Sequence, residues 1–421
     1  MWPSGPDVSL FRSPLKSRLV RLLAGGQFAA YTAGNCLSLL GTWMQRIACS
    51  LLVWDMTHSP LWLGILAAAD LLPTVLIGPI GGLAVDRWDA LKINRLCQFG
   101  LAAIAALMTA LIYLDLLNLG LLISIIAIQG CVIALGQPAR MTIVQELVPR
   151  DDVPMAVAIN SMNVNLARLV GPALAGLMIV MVDVSLVFLF NTVVTCLFVV
   201  VLQRIAPQQR TSKTRASKSV TAEIMEGFGY VISNPGMRLM LALLLAGGVL
   251  IRAIAEMLPA FAANLSSVPA TGLAVLTSSM AFGSVIAGLT MNAYVSTVRL
   301  PFQITVAWAM SACAAGCFIL ADTILTLAIF AMLMGYLTSV SMIATQTYVQ
   351  LGAPPSIRGR ALSVHGLVFR ASPSLGAVVL GLSSDVLGLR VPIICSAAAM
   401  LIVTLALLPK VSRMEFRPDE S

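Results

Sequence analysis

Twelve apolar runs follow one another from Leu22 to Leu408 with little polar sequence between them. An α-helix rises about 1.5 Å per residue, so every run is long enough to cross a hydrocarbon core of ~30 Å. No water bonds the backbone there, and only helices or closed barrels satisfy it. Barrel strands are short and alternate apolar with polar residues, which these runs do not. The chain therefore reads as an all-α membrane protein with twelve transmembrane helices. They are predicted at Leu22–Trp54, Leu61–Val85, Ile93–Tyr113, Leu119–Val148, Pro154–Val182, Leu186–Gln203, Gly236–Ala263, Ala270–Tyr294, Leu300–Leu320, Ile324–Leu351, Arg358–Ser384 and Leu389–Leu408. Composition agrees: 10% of the 421 residues are charged, against about 25% in soluble domains.

The turns fall into two alternating sets. One set, 55–60, 114–118, 183–185, 264–269, 321–323 and 385–390, holds Arg390 as its one basic residue. Arg46, Arg168, Arg252 and Arg370 sit deep within spans. The other Lys and Arg gather on the opposite turns, at the adjoining span ends and in the two tails. Basic loops stay on the cytoplasmic side, which predicts both termini there. The net charge of +8 follows from this asymmetry and calls for no nucleic-acid partner. The opening stretch is polar and basic up to Arg21 and is expected to be a short cytoplasmic tail rather than a cleavable leader.

One long polar stretch, "IAPQQRTSKTRASKSV" from Ile205 to Val220, separates two sets of six spans. The predicted organisation is a bundle over 1–204, a cytoplasmic linker over 205–235 and a second bundle over 236–421. "TAEIMEGFGYVI", starting at Thr221, is expected to form a short amphipathic helix on the membrane face. The halves echo one another. Gly41 precedes Arg46 by the same step as Gly247 precedes Arg252, and Ser161 precedes Arg168 as Ser363 precedes Arg370. Such correspondence favours a duplicated six-helix unit, the organisation of many transporters.

Enzyme chemistry finds no footing. There is no phosphate-binding Gly-Lys loop, metal-ligand cluster or nucleophile elbow, so neither ATP, a metal nor another cofactor is expected. The eight Cys lie almost entirely within apolar runs and read as packing residues. Trp43 and Trp308 read as interface anchors or packing, and neither His58 nor His365 is given a catalytic role.

The turn after the second span reads "GGLAVDRWDALK", and the fifth span contains "GPALAG". These stretches resemble the major facilitator superfamily, whose pattern there is Gly-x-x-x-Asp-Arg/Lys-x-Gly followed by basic residues. Gly82, Asp86, Arg87 and Lys92 match, while Asp89 stands where Gly is usual. "LSLLGTWMQ" at 37–45, the stretch 136–176 and "RGRALSVHGLVFRASPSLGAVVLG" at 358–381 are similar to the branch containing the enterobactin exporter and macrolide efflux proteins. The resemblance implies two pseudo-symmetric six-helix bundles in a bacterial inner membrane. It implies a conformational latch at Gly82, Asp86 and Arg87, with Arg140 and Glu146 completing its charges and the start of span eleven as its seat. It also implies an antiporter motif at Gly171, Pro172 and Gly176. Relatives often carry Asp where this chain has Thr42, so no proton-coupling role is carried over there.

Ionisable groups at membrane depth are costly and mark partners or wet cavities. Arg46, Asp70, Arg168, Arg252, Glu256 and Arg370 are such groups. Asp70–Arg370 across neighbouring spans and Arg252–Glu256 one turn apart are expected ion pairs. Four cations against two carboxylates predict an anion-attracting cavity, with Arg46, Arg168, Arg252 and Arg370 as substrate-binding residues. Glu256, ahead of Asp70, is the expected proton-coupling site. For each Arg the alternative is a purely structural bond to backbone. The function expected is a monomeric secondary exporter exchanging protons for an anionic or amphiphilic molecule such as a siderophore. A drug efflux pump and a non-transporting membrane sensor or scaffold are the alternatives.

Overall fold

The computed structural model describes residues 21–206, 220–294, 299–412 and 414, excluding the side chains at 86, 220–224 and 292–294. Most of the basic linker and the N-terminal tail lie outside the described residues. Twelve helices are long and apolar enough to cross a membrane: Gln27–Thr57, Pro60–Val85, Ala90–Tyr113, Leu119–Glu146, Arg150–Met181, Val184–Arg204, Pro235–Leu265, Pro269–Met291, Leu300–Ile319, Ile324–Gly352, Arg358–Leu387 and Arg390–Val411. They are numbered as spans one to twelve below. Span one starts at Gln27 rather than Leu22 because Gly26 takes φ 91°, a conformation that ends the helix in that direction. Asp89 caps span three, accepting from the amides of Leu91 at 2.8 Å and Lys92 at 3.1 Å. The residue that departs from the superfamily pattern thus serves as a helix start. Asp183 caps span six through the Ser185 amide, and its hydrogen bonds to Ser185 hold the carboxyl below the usual carboxylate range.

The spans form two six-helix bundles. Across the boundary, span two packs on span eleven and span five on span eight. Glycine makes these crossings close. Gly64 backs onto the Ala377 carbonyl, and Gly176 fits against Ala270 and Ala274 of span eight. Any side chain at Gly64 would strike backbone. Ser59 Oγ donates to Asp385 Oδ1 at 2.7 Å beside the same crossing. These contacts lie toward the end of the spans away from the basic turns. Toward the basic end the ion pairs Arg21–Asp152 and Arg360–Glu226 each stay within one bundle. There Gly78 and Gly82 of span two and Gly359 and Gly366 of span eleven face open space. The bundles meet at one end and part at the other.

A short helix runs over Val220–Ser233. It docks on the start of span eleven, where Arg360 Nη1 meets Glu226 Oε1 at 2.6 Å, and on the end of span ten, where Tyr230 Oη donates to the Gly352 carbonyl at 3.3 Å.

Candidate functional site: the central cavity

A buried polar ladder fixes the rotation of span one. Gln45 Nε2 donates to Gln129 Oε1 of span four at 2.8 Å, and Asn191 Nδ2 of span six donates to Gln45 Oε1. Gly41, one turn earlier, leaves room for Asn191. With Gln45 pinned toward spans four and six, its neighbour Arg46 faces the gap between bundles.

Arg46 there takes both carboxylates. Its Nη2 lies 2.9 Å from Glu256 Oε1 and its Nη1 3.5 Å from Asp70 Oδ2. Gly130 allows span four to press against the backbone at Ala69 and Asp70, which fixes the depth of that aspartate. The expected pairs Asp70–Arg370 and Arg252–Glu256 are not formed. The second fails for a geometric reason. Span seven is interrupted by a 3-10 turn over Arg252–Met257. Residues four apart lie about 120° apart around such a turn, against about 40° in an α-helix. Pro259 lies just beyond and cannot donate to the Ala255 carbonyl, so the α-helical ladder is broken there. Asp70 pairs with Arg46 of span one instead.

Arg252 instead donates from Nη1 to the Phe369 carbonyl at 2.8 Å, with its guanidinium 4.4 Å from the Phe369 ring centre. That carbonyl is available because its usual helical donor would be residue 373, a proline without N–H. Arg168 lies over the Trp43 ring at 5.1 Å, and Arg46 lies 5.5 Å from the same ring. Arg370 has no ion pair among the described residues. Arg168, Arg252 and Arg370 thus form no ion pair among the described residues.

All six intramembrane charges line one cavity of about 430 Å³ between the bundles, within the range of small-molecule pockets. Its charged lining is four Arg, Asp70 and Glu256, an excess of two cations. Arg46 points inward and does not reach for the headgroups.

The remaining motif residues take separate places. Gly171 fits against Trp43, Pro172 lines the cavity wall, and Gly176 belongs to the crossing with span eight. Arg87 is exposed just past span two, where its helix ends; Arg140 and Glu146 lie in span four toward the same basic end. The Asp86 side chain lies outside the described residues. His365 is buried and stacks on Phe369 at 6.2 Å. Trp308 is fully buried packing, whereas Trp43 lines the cavity. Sequence reasoning missed Trp43, Phe369, Gln45, Gln129 and Asn191 as parts of the site. The spacing of Trp43 to Arg46, one turn apart on a helix, was the available signal for the first.

The profile of a family described as transmembrane secretion effector matches residues 21–419. The enterobactin exporter EntS of Citrobacter koseri is 24% identical over 84% of each chain. The multidrug efflux pump Tap of Mycolicibacterium fortuitum is 24% identical over 92% of this chain and 96% of its own. The staphyloferrin A transporter of Staphylococcus aureus is 25% identical over 41% of this chain and 43% of its own. The chain thus spans about half the length of some curated relatives it matches. Among solved structures, the nucleoside transporter NupG superposes with a TM-score of 0.72 at 13% identity, covering 93% of this chain and all of that one. This likeness is one of fold.

Proposed function

From the premise that this chain belongs to the transmembrane secretion effector family of major facilitator transporters, we propose that it exports an anionic or amphiphilic small molecule in exchange for protons. It is a multi-pass membrane transporter of the efflux type, not an enzyme. One observation carries the substrate class: three guanidiniums, of Arg168, Arg252 and Arg370, face a central cavity without a carboxylate partner. A buried cation without a counterion is costly, and an anionic cargo relieves it. A siderophore fits this demand, and relatives named as enterobactin and staphyloferrin A transporters support it.

The proposed mechanism is alternating access by two bundles, 1–204 and 236–421, rocking about this cavity. Basic loops stay cytoplasmic, so the described conformation, parted at its basic end, is open to the cytoplasm. Cargo enters from that side and binds the free guanidiniums. Protonation of Glu256 or Asp70 weakens the hold on Arg46 and lets the bundles rearrange. Asp86 then latches to the start of span eleven, where a helix N-terminus favours negative charge, and the far end opens. Close glycine crossings at Gly64 and Gly176 act as the outer seal. Gly171 and Pro172 loosen span five beside the cavity.

Metabolite analysis of medium from cells with and without the gene tests this. Loss of one anionic secreted compound is expected, and identical media reject the reading. Drug efflux is the second reading, favoured by the near full-length match to a multidrug pump; unchanged media with lowered drug tolerance in the deletion strain would select it.

A further inference from the structure

Glu256 has a second seat that the described conformation leaves empty. In the 3-10 turn Glu256 faces Arg46 of the other bundle while Arg252 faces the Phe369 carbonyl. An α-helical turn over the same residues would bring Arg252 and Glu256 to within about 40° on one face, where Arg and Glu pair one turn apart. The bond this needs runs from the Glu256 amide to the Arg252 carbonyl, and Pro259 lies beyond it. Two glycines let the helix before the turn pack closely on its neighbours. Gly247 faces the Trp308 ring and Gly248 faces Ser372; the Trp308 Nε1 and Ser372 Oγ are buried without a hydrogen-bond partner in this conformation. A 3-10 stretch between two α-helical segments is a common hinge.

We propose that span seven switches between these two turns, and that Arg46 receives a carboxylate of the cargo when it does. In the 3-10 form Arg46 binds Glu256 and ties span one to span seven. In the α form Glu256 pairs with Arg252 inside its own bundle and the tie across the boundary is gone. The arm of Arg46 that Glu256 leaves is then free, while Asp70 still holds the other. A planar guanidinium matches a carboxylate in geometry and charge. One carboxylate leaves as another arrives, so the charge around Arg46 is conserved through the exchange. The return of Glu256 displaces the cargo. This rests on the exporter reading and adds to it the cargo group and the side chain that holds it.

Amide hydrogen exchange over residues 252–257, measured on the whole protein in lipid nanodiscs, tests the switch without any natural cargo. Arg46→Gln removes the partner of the 3-10 form, and exchange is expected to slow about tenfold as the α turn takes over. Citrate, as a probe carboxylate, is expected to slow exchange in the wild type. Neither effect survives in Arg252→Gln backgrounds. An unchanged rate in Arg46→Gln, or slowing that persists without Arg252, overturns the proposal; if Arg46→Gln does not assemble, the citrate response of the wild type and of Arg252→Gln decides it. Exchange that ignores these changes in a protein that still exports rejects the switch alone. Exchange that follows them in a protein that moves no solute supports the switch and rejects the exporter reading.

Discussion

Arg46 Nη2 donates to Glu256 Oε1 at 2.9 Å, joining the first span of one bundle to the seventh of the other. The same guanidinium reaches Asp70 at 3.5 Å. Both carboxylates of the cavity thus share one guanidinium. The contact that crosses the boundary is the one whose release frees the bundles to move.

Glu256→Gln is therefore expected to abolish solute movement driven by a pH gradient in proteoliposomes, while exchange of solute against solute continues. Asp70→Asn, which leaves the cross-boundary pair intact, is expected to slow gradient-driven movement without abolishing it. Wild-type pumping by Glu256→Gln up to neutral pH rules out this glutamate as the proton carrier.

The uncompensated guanidiniums set the affinity for anionic cargo. A hydrogen bond to a charged group contributes ~1.5–3 kcal/mol, so Arg168→Gln or Arg370→Gln is expected to raise KM roughly 10- to 100-fold. Trp43→Leu removes the ring beneath Arg168 and is expected to cost less, ~0.5–2 kcal/mol. KM values for the secreted compound, once identified, decide the matter. If all three variants keep the wild-type KM, the cavity is not the binding site.

Gln45 tests the scaffold behind the site. Replacing it by Leu strands Gln129 and Asn191, which each bond to it in the protein interior. Interhelical hydrogen bonds in membranes average ~0.6 kcal/mol and reach ~1.7, so a loss of about 1–2 kcal/mol is expected. It is read as a lower Tm in detergent. Span one then has less to fix its rotation, and transport falls with stability. A Gln45→Leu protein as stable as wild type would show the ladder to be incidental.

The fold was legible because lipid leaves so few options: apolar length alone marked each span, and scarce charges at depth marked the cavity. All six such residues do share it. Their pairing was not legible. It depends on whether Arg252 and Glu256 are joined by an α or a 3-10 turn, and hydropathy does not distinguish the two. Pro259 and the Gly247–Gly248 pair were visible, yet glycine and proline are common in membrane helices and did not single out this turn. The ladder of Gln45, Gln129 and Asn191 was hidden because each is an isolated amide on a different span. The availability of the Phe369 carbonyl follows from Pro373 only once Arg252 is known to lie opposite.

The glycine crossing between spans two and eleven gives a test of which end opens. Gly64 lies directly against the Ala377 carbonyl, so a leucine there cannot be housed while the crossing stays closed. Backbone cannot give way as a flexible side chain can, and the bundles must part at that end. Gly64→Leu is expected to hold the protein open on the side away from the basic turns and to stop transport. Cys49 reports this, since it lines the cavity yet is almost fully buried. In a background with the other seven cysteines replaced, a membrane-impermeant maleimide added to whole cells is expected to label Cys49 in Gly64→Leu but not in its parent. Adding Asp86→Asn should lower that labelling, because the latch that stabilises the outward-open state is then lost. Equal labelling of parent and Gly64→Leu from outside would mean that the glycine crossing is not the seal and that the described conformation is not closed to that side.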